Sequence, residues 1–173
     1  MSDNNKTEIE LRGKVIAMSL AVEDYLTNLI FNFFYPKNSD KETIDIYLNK
    51  LVFPKTFSQK KELLKSIYKT DRYKNVLNKY LTEKNIIGND KEFKDYEDYT
   101  KYVLNLLTEI ISERNIIAHG YNMTGGFSAL QENEMILVNK TNFYKFSFDD
   151  FSKEFSNKTL KATLMLTMVK VER

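Results

Sequence analysis

Arg114, Asn115 and His119 lie close together in the sequence and have the functional groups for acid–base chemistry on a phosphate. His119 is the only histidine of the chain, and Arg114 is one of four arginines. An imidazole takes up and returns protons near neutral pH. A guanidinium stays charged and can donate two parallel hydrogen bonds to an anion. Proton transfer by His119, phosphate binding by Arg114 and an orienting role for Asn115 are therefore the chemistry that these residues suit.

A late amphipathic helix over about residues 95–118 must position these side chains. Its apolar residues recur at the helical period, and Arg114 falls within that apolar stripe at about 100° per residue. Burying a guanidinium without a partner is costly, so Arg114 requires an acidic residue, a neighbouring chain or an anionic ligand. Asn115 and His119 are spaced i,i+4 and share the adjoining face. Gly120 is typical of the position just past a helix end.

The segment from Ser112 to Gly120 resembles the Arg-polar-x-x-x-His signature of the HEPN superfamily of helical ribonucleases, with Asn115 at the polar position. The resemblance extends over the helical part of the chain, roughly residues 8–119. It implies a mainly all-α fold, an antiparallel HEPN-like helical bundle. It also implies metal-independent cleavage of RNA at a composite site in a homodimer. A bacterial toxin or anti-phage defence role is implied as well, with an antitoxin or another regulatory protein as a partner.

The implied reaction is attack of the ribose 2′-hydroxyl on the adjacent phosphorus. It needs a base, an acid and positive charge beside the phosphorane oxygens. His119 would move protons, Arg114 would hold the phosphate, and Asn115 would orient the substrate or His119. The reaction moves two protons and one chain has one histidine. A two-fold dimer places the same patch of both chains face to face and would supply the second histidine. No cofactor and no metal are expected.

Glu23 is the predicted supporting residue, because it is an acid among the apolar positions of the first helix. That helix is predicted from Thr7 or Glu8 to Phe34, ended by Pro36. Bundle geometry could place Glu23 beside Arg114, where its carboxylate would hold the guanidinium. Two alternatives remain open, an unrelated ion pair within the chain and exposure to solvent at the edge of the bundle.

Composition narrows the class of protein. The chain has 173 residues, a net charge of +2, 42% hydrophobic residues and no cysteine, which predicts one domain over residues 1–173 and excludes disulfides and cysteine-ligated zinc. Its N-terminus lacks the features of a signal peptide, and no apolar run is long enough to span a membrane. We therefore expect a cytoplasmic protein without membrane contact, with residues 1–7 disordered.

The remaining elements follow from caps, breakers and periodicity. A small β-hairpin or meander is predicted over about residues 128–148, after a turn at Gly125-Gly126 and with its own turn at 139–142. A last helix over about 151–170 would be capped by Asp149 and Asp150. The other predicted helices cover about 41–51 after caps at 38–40, about 59–69 capped by Ser58, and 71–84, with a loop over 85–92.

The role of two basic stretches remains open, and so do two alternatives to the ribonuclease function. Lysines beside aromatic residues could follow an RNA backbone, although charge runs on helices are usually solvated faces. The alternative function is a non-catalytic HEPN-like module that binds a nucleotide or a protein, and a third is an immunity protein or antitoxin. The basic stretches comprise Lys60, Lys61, Lys65 and Lys69, and Lys140 with Tyr144 and Lys145.

Overall fold

The computed structural model describes residues 3–34, 40–83, 93–123 and 133–168, and the side chains of the first helix from Thr7 onward. This part of the chain is mainly helical with one small antiparallel sheet, which confirms the predicted fold class at that level. None of its helices combines the length and apolar content needed to cross a bilayer. The helices are α1 (Asp3–Phe34), α2 (Lys41–Ile46) with a π-helical turn after it (Tyr47–Val52), α3 (Phe57–Tyr68), α4 (Asp71–Glu83), α5 (Tyr96–His119) and α6 (Phe148–Met168).

Two of the predicted helix boundaries follow local chemistry. Helix α1 ends at Phe34, two residues before Pro36, as the proline predicts. Helix α2 begins after Asp40, whose carboxylate accepts a hydrogen bond from the Thr43 amide at 2.7 Å. The predicted start of α1 at about Thr7 or Glu8 is wrong, because the helix already begins at Asp3.

The caps predicted for two other helices are wrong. Helix α3 is capped by Thr56 instead of Ser58, because Thr56 and Gln59 form a reciprocal capping box that starts the helix two residues earlier. Helix α6 begins at Phe148, so Asp149 and Asp150 lie in its first turn instead of before it. There their negative charges still favour the positive end of the helix dipole.

The sheet contains the predicted hairpin and one strand that was not predicted separately. Strands β2 (Glu134–Asn139) and β3 (Asn142–Ser147) pair in antiparallel register around a two-residue turn. Lys140 in that turn has a φ of 57°, the left-handed conformation that tight hairpin turns require. Strand β1 (Tyr121–Asn122) pairs with the other edge of β2. The predicted turn at 125–126 and loop over 85–92 lie outside the described residues.

The chain divides into two compact units, and the division falls within α1, α5 and α6. The first unit, residues 1–20 and 109–160, has a core built from both helix and sheet, which includes Val15, Ile117, Met135, Leu137 and Phe155. The second unit, residues 21–108 and 161–173, has a helical core that includes Leu26, Ile30, Leu64, Leu77 and Leu107. A single domain over the whole chain stays a prediction.

Gly120 is needed for the close approach that ends α5. A Cβ at this position would lie 2.4 Å from the Ile116 carbonyl oxygen and 3.0 Å from the Leu137 Cβ. We therefore expect Gly120→Ala to lower the free energy of unfolding by about 1–3 kcal/mol, because backbone must move. Urea unfolding measures this. Gly13→Ala is the matched control: its Cβ meets nothing within 4 Å, and alanine in a helix should raise stability by about 0.5–1 kcal/mol. Equal changes in the free energy of unfolding for Gly120→Ala and Gly13→Ala would contradict the expected steric clash at Gly120.

Candidate functional site

The C-terminal end of α5 carries all three residues predicted to do chemistry. His119 is the last residue of the helix, and Gly120 donates its amide to the Ile116 carbonyl at 2.7 Å to close the final turn. Asn115 and His119 are exposed, whereas Arg114 is half-buried. On an ideal helix Asn115 and His119 are about 40° apart, and Arg114 and His119 are about 140° apart and about 7.5 Å along the axis. Asn115 and His119 therefore share a face, and Arg114 lies to one side of it.

Arg114 carries a buried polar atom without a partner. Its Nε has no hydrogen bond, and the guanidinium has no ion pair among the residues that the structure describes. An unsatisfied buried donor costs about 1–3 kcal/mol, and more when the group is charged. The folded chain therefore retains a half-buried cation, with its Nε shielded from water, that no described side chain neutralises.

The acids nearest to Arg114 on α5 are already paired with a different cation. The Lys158 ammonium on α6 forms an ion pair with Glu113 and a second with Glu109 at 3.4 Å. Burial alone would lower the pKa of Lys158, but the hydrogen bond and charge of Glu113, with those of Glu109, outweigh it and raise that pKa. Lys158 therefore stays charged, and both carboxylates are engaged by it. Arg114 is left available to an anion from outside.

His119 is exposed, and within the described ranges its ring makes no hydrogen bond or ion pair. Its backbone is nevertheless held from both sides. Helix α5 precedes it, and β1 begins at Tyr121, which pairs with Val138 on β2. The imidazole therefore combines an ordered backbone with a ring that can reach a ligand.

Arg12 on α1 stabilises this helix end, a role that sequence reasoning missed. Its guanidinium donates to the carbonyl of Ile117 and, at 2.8 Å, to that of Gly120. Glu8, one turn earlier on α1, holds the guanidinium through an ion pair of 2.7 Å. A cation at these carbonyls also favours the negative end of the α5 dipole. The i,i+4 spacing of Glu8 and Arg12 was visible in the sequence, but their partner on α5 was not.

Glu23 has a different partner from the one predicted. Its carboxylate accepts a hydrogen bond from the Lys60 ammonium at 2.8 Å, and both side chains are largely buried. This is the intrachain ion pair that the sequence left open as an alternative. It accounts for the burial of both charges, since each neutralises the other. A role for Glu23 in holding Arg114 stays a prediction.

Glu23→Gln tests the structural role of the ion pair between Glu23 and Lys60. Loss of the negative charge leaves the Lys60 ammonium largely buried without a counter-charge, so we expect the free energy of unfolding to fall by about 1–3 kcal/mol. The double variant Glu23→Gln/Lys60→Met should recover most of that loss. Chemical unfolding of both proteins measures this. Unchanged stability of the single variant would contradict the structural role of the pair.

No protein-family model, no curated protein and no solved structure matches the chain. The resemblance to HEPN ribonucleases therefore depends on residues 112–120 and on their position at the end of a long helix.

Proposed function

We propose that this protein is a metal-independent endoribonuclease of the HEPN type that acts as a homodimer. The observation that carries the proposal is the buried, unpartnered Nε of Arg114, five residues before an exposed histidine at the end of the same helix. A guanidinium that is neither paired nor fully solvated suits the binding of a phosphate. The exposed imidazole provides the proton transfer that cleavage of RNA requires.

The proposed reaction begins with attack of the ribose 2′-oxygen on the adjacent phosphorus. An imidazole of His119 takes the hydroxyl proton, and the bond from phosphorus to the 5′-oxygen breaks as that oxygen receives a proton. The products are a 2′,3′-cyclic phosphate and a 5′-hydroxyl. Arg114 stabilises the negative charge that develops on the phosphorane oxygens, and Asn115, on the face of His119, orients the substrate.

Two considerations support a dimer, the number of protons that the reaction moves and the helix geometry. A two-fold interface brings the same surface of both chains together, so two copies of His119 and of Arg114 line one cleft. One imidazole then acts as base and the other as acid. The second copy also compensates for the separation of about 140° between Arg114 and His119 on one helix. The resemblance further supports a defence or toxin role with a regulatory protein as partner.

The testing experiment uses purified protein, a defined RNA and excess EDTA. We expect cleavage with 2′,3′-cyclic phosphate ends, and no cleavage at a position that carries a single 2′-deoxyribose, because the attacking hydroxyl is missing there. Activity per chain should follow the dimer fraction measured by analytical ultracentrifugation. Cleavage at the deoxy position, or full activity of the monomer, would contradict the corresponding part of the proposal. A dimer that cuts no RNA would favour the non-catalytic binding module.

A further inference from the structure

A lysine-lined groove of about 600 Å³ lies within the second compact unit, between α3 with the start of α4 and the first half of α5. We call it the lysine groove. Five lysines and two glutamates line it, which leaves an excess of three positive charges. The lysines are Lys61, Lys65, Lys69, Lys74 and Lys101.

The positive charge of the lysine groove is only partly neutralised. Glu62 is shared between Lys61 at 3.4 Å and Lys65 at 4.0 Å. Lys69, Lys74 and Lys101 are exposed and have no ion pair with any residue in the described ranges. These three ammonium groups are therefore available to an anionic ligand.

Three lysines along α3 and at its C-cap form a row. Lys61 and Lys65 lie on α3, and Lys69 is its C-cap residue with a helical backbone conformation. The three follow one another at intervals of four residues, about 6 Å apart along the helix axis. That spacing is close to twice the axial distance of about 3.4 Å between successive charges on one stacked nucleic-acid strand. A row of cations with this repeat suits a linear polyanion better than a single compact anion.

The opposite wall of the groove is polar and contributes a single acidic residue. Lys61 donates to the Thr108 hydroxyl at 3.2 Å, and the exposed Asn105 lies nearby on α5. Lys74 lies over the ring of Tyr96 at 5.9 Å. Burial raises the pKa of Tyr96 to about 12, so its hydroxyl remains neutral and adds no negative charge. Glu97 is the one acid that α5 contributes to the lining.

We propose that the lysine groove binds the phosphate backbone of single-stranded RNA, without sequence preference and separately from Arg114 and His119. The inference goes beyond the proposed function and rests on it in one respect, that the bound strand is the substrate. Lys60 does not take part, because its ammonium is buried against Glu23. Of the basic stretch noted in the sequence, Lys61, Lys65 and Lys69 therefore form the binding row.

The test measures binding of a fluorescein-labelled oligouridylate by anisotropy, with every protein carrying His119→Ala so that cleavage does not interfere. Replacing Lys69, Lys74 and Lys101 with glutamine should weaken binding about 100-fold at 0.1 M salt. It should also reduce the slope of log affinity against log salt by about 2, since each phosphate contact on a single strand contributes about 0.7. The control variant replaces Lys41, Lys50 and Lys153 with glutamine. These lysines are exposed outside the groove, so the control removes the same three positive charges.

Equal affinity and salt slope for the groove variant and the control would overturn the proposal. The proposal would also be overturned if the groove variant lost binding to polyglutamate but kept its binding to RNA. That result would point to an acidic protein as the ligand. A loss of RNA binding confined to the groove variant supports the proposal even if the unmodified protein cuts no RNA. The binding site and the nuclease activity can therefore fail separately.

Discussion

Replacing His119 with alanine is expected to reduce RNA cleavage by about 10²–10⁴-fold, the usual contribution of a general acid or base. The loss should be near the upper end, because the two-fold site then loses both imidazoles at once. Folding should be unaffected, since the ring is exposed and makes no hydrogen bond within the described part of the chain. Initial rates in EDTA and the urea midpoint, measured on one preparation, check both statements.

Ser112→Ala is the matched control for His119→Ala. Ser112 is exposed on α5, one residue before Glu113 and outside the proposed chemistry. Its replacement should leave both the rate and the unfolding midpoint unchanged. If the His119 variant cuts RNA as fast as this control, His119 is not the acid–base group, and any cleavage comes from another site.

Arg114→Met is expected to reduce cleavage by at least about 10²–10³-fold and to leave the protein as stable or more stable. Loss of one group that stabilises the developing charge typically costs about 10²–10³ in rate, and here two copies are lost. Stability should not fall, because the Nε of Arg114 is buried without a partner, and removing such a group can restore about 1 kcal/mol. Cleavage rates and chemical unfolding of the same protein provide the measurement.

Arg12→Met is the control for the stability effect of Arg114→Met. Both substitutions remove a guanidinium near the end of α5. The Arg12 guanidinium donates hydrogen bonds to the carbonyls of Ile117 and Gly120 and forms an ion pair with Glu8. Its loss should lower the free energy of unfolding by about 1–3 kcal/mol. A similar loss for Arg114→Met would show that Arg114 is a structural residue, and would remove the main support for the proposed site.

Several helix boundaries could be predicted from the sequence, because the cause of each lies within a few residues. Helix α1 ends two residues before the position of Pro36 in the sequence, Asp40 caps α2, and Gly120 follows the end of α5. In each case the signal and the boundary lie within one turn of chain. Helical periodicity followed by a glycine is a local signal of the same kind, and it predicted that Arg114, Asn115 and His119 lie at one helix end. The predicted cap of α3, Ser58, is wrong because Thr56, two residues earlier, forms the capping box with Gln59.

The features that were missed depend on contacts between distant parts of the chain. Glu23 and Lys60 are 37 residues apart, and Arg12 and Gly120 are 108 apart. Nothing in the local pattern of either segment specifies such a partner. Strand β1 is only two residues long and exists because β2 offers it a free edge. Periodicity needs more residues than that to give a signal.

The junction between α5 and β1 couples the order of His119 to the opening of the sheet. Only Gly120 separates the last helical residue from Tyr121, which is paired with Val138. A transient separation of β1 from β2 would therefore also release the chain beside the imidazole, so both events belong to one local unfolding unit. The amide of Met123, which donates to the Ile136 carbonyl at 3.0 Å, would be exposed to exchange only while the unit is open. Its protection against hydrogen exchange would thus measure the free energy needed to release the chain beside the histidine.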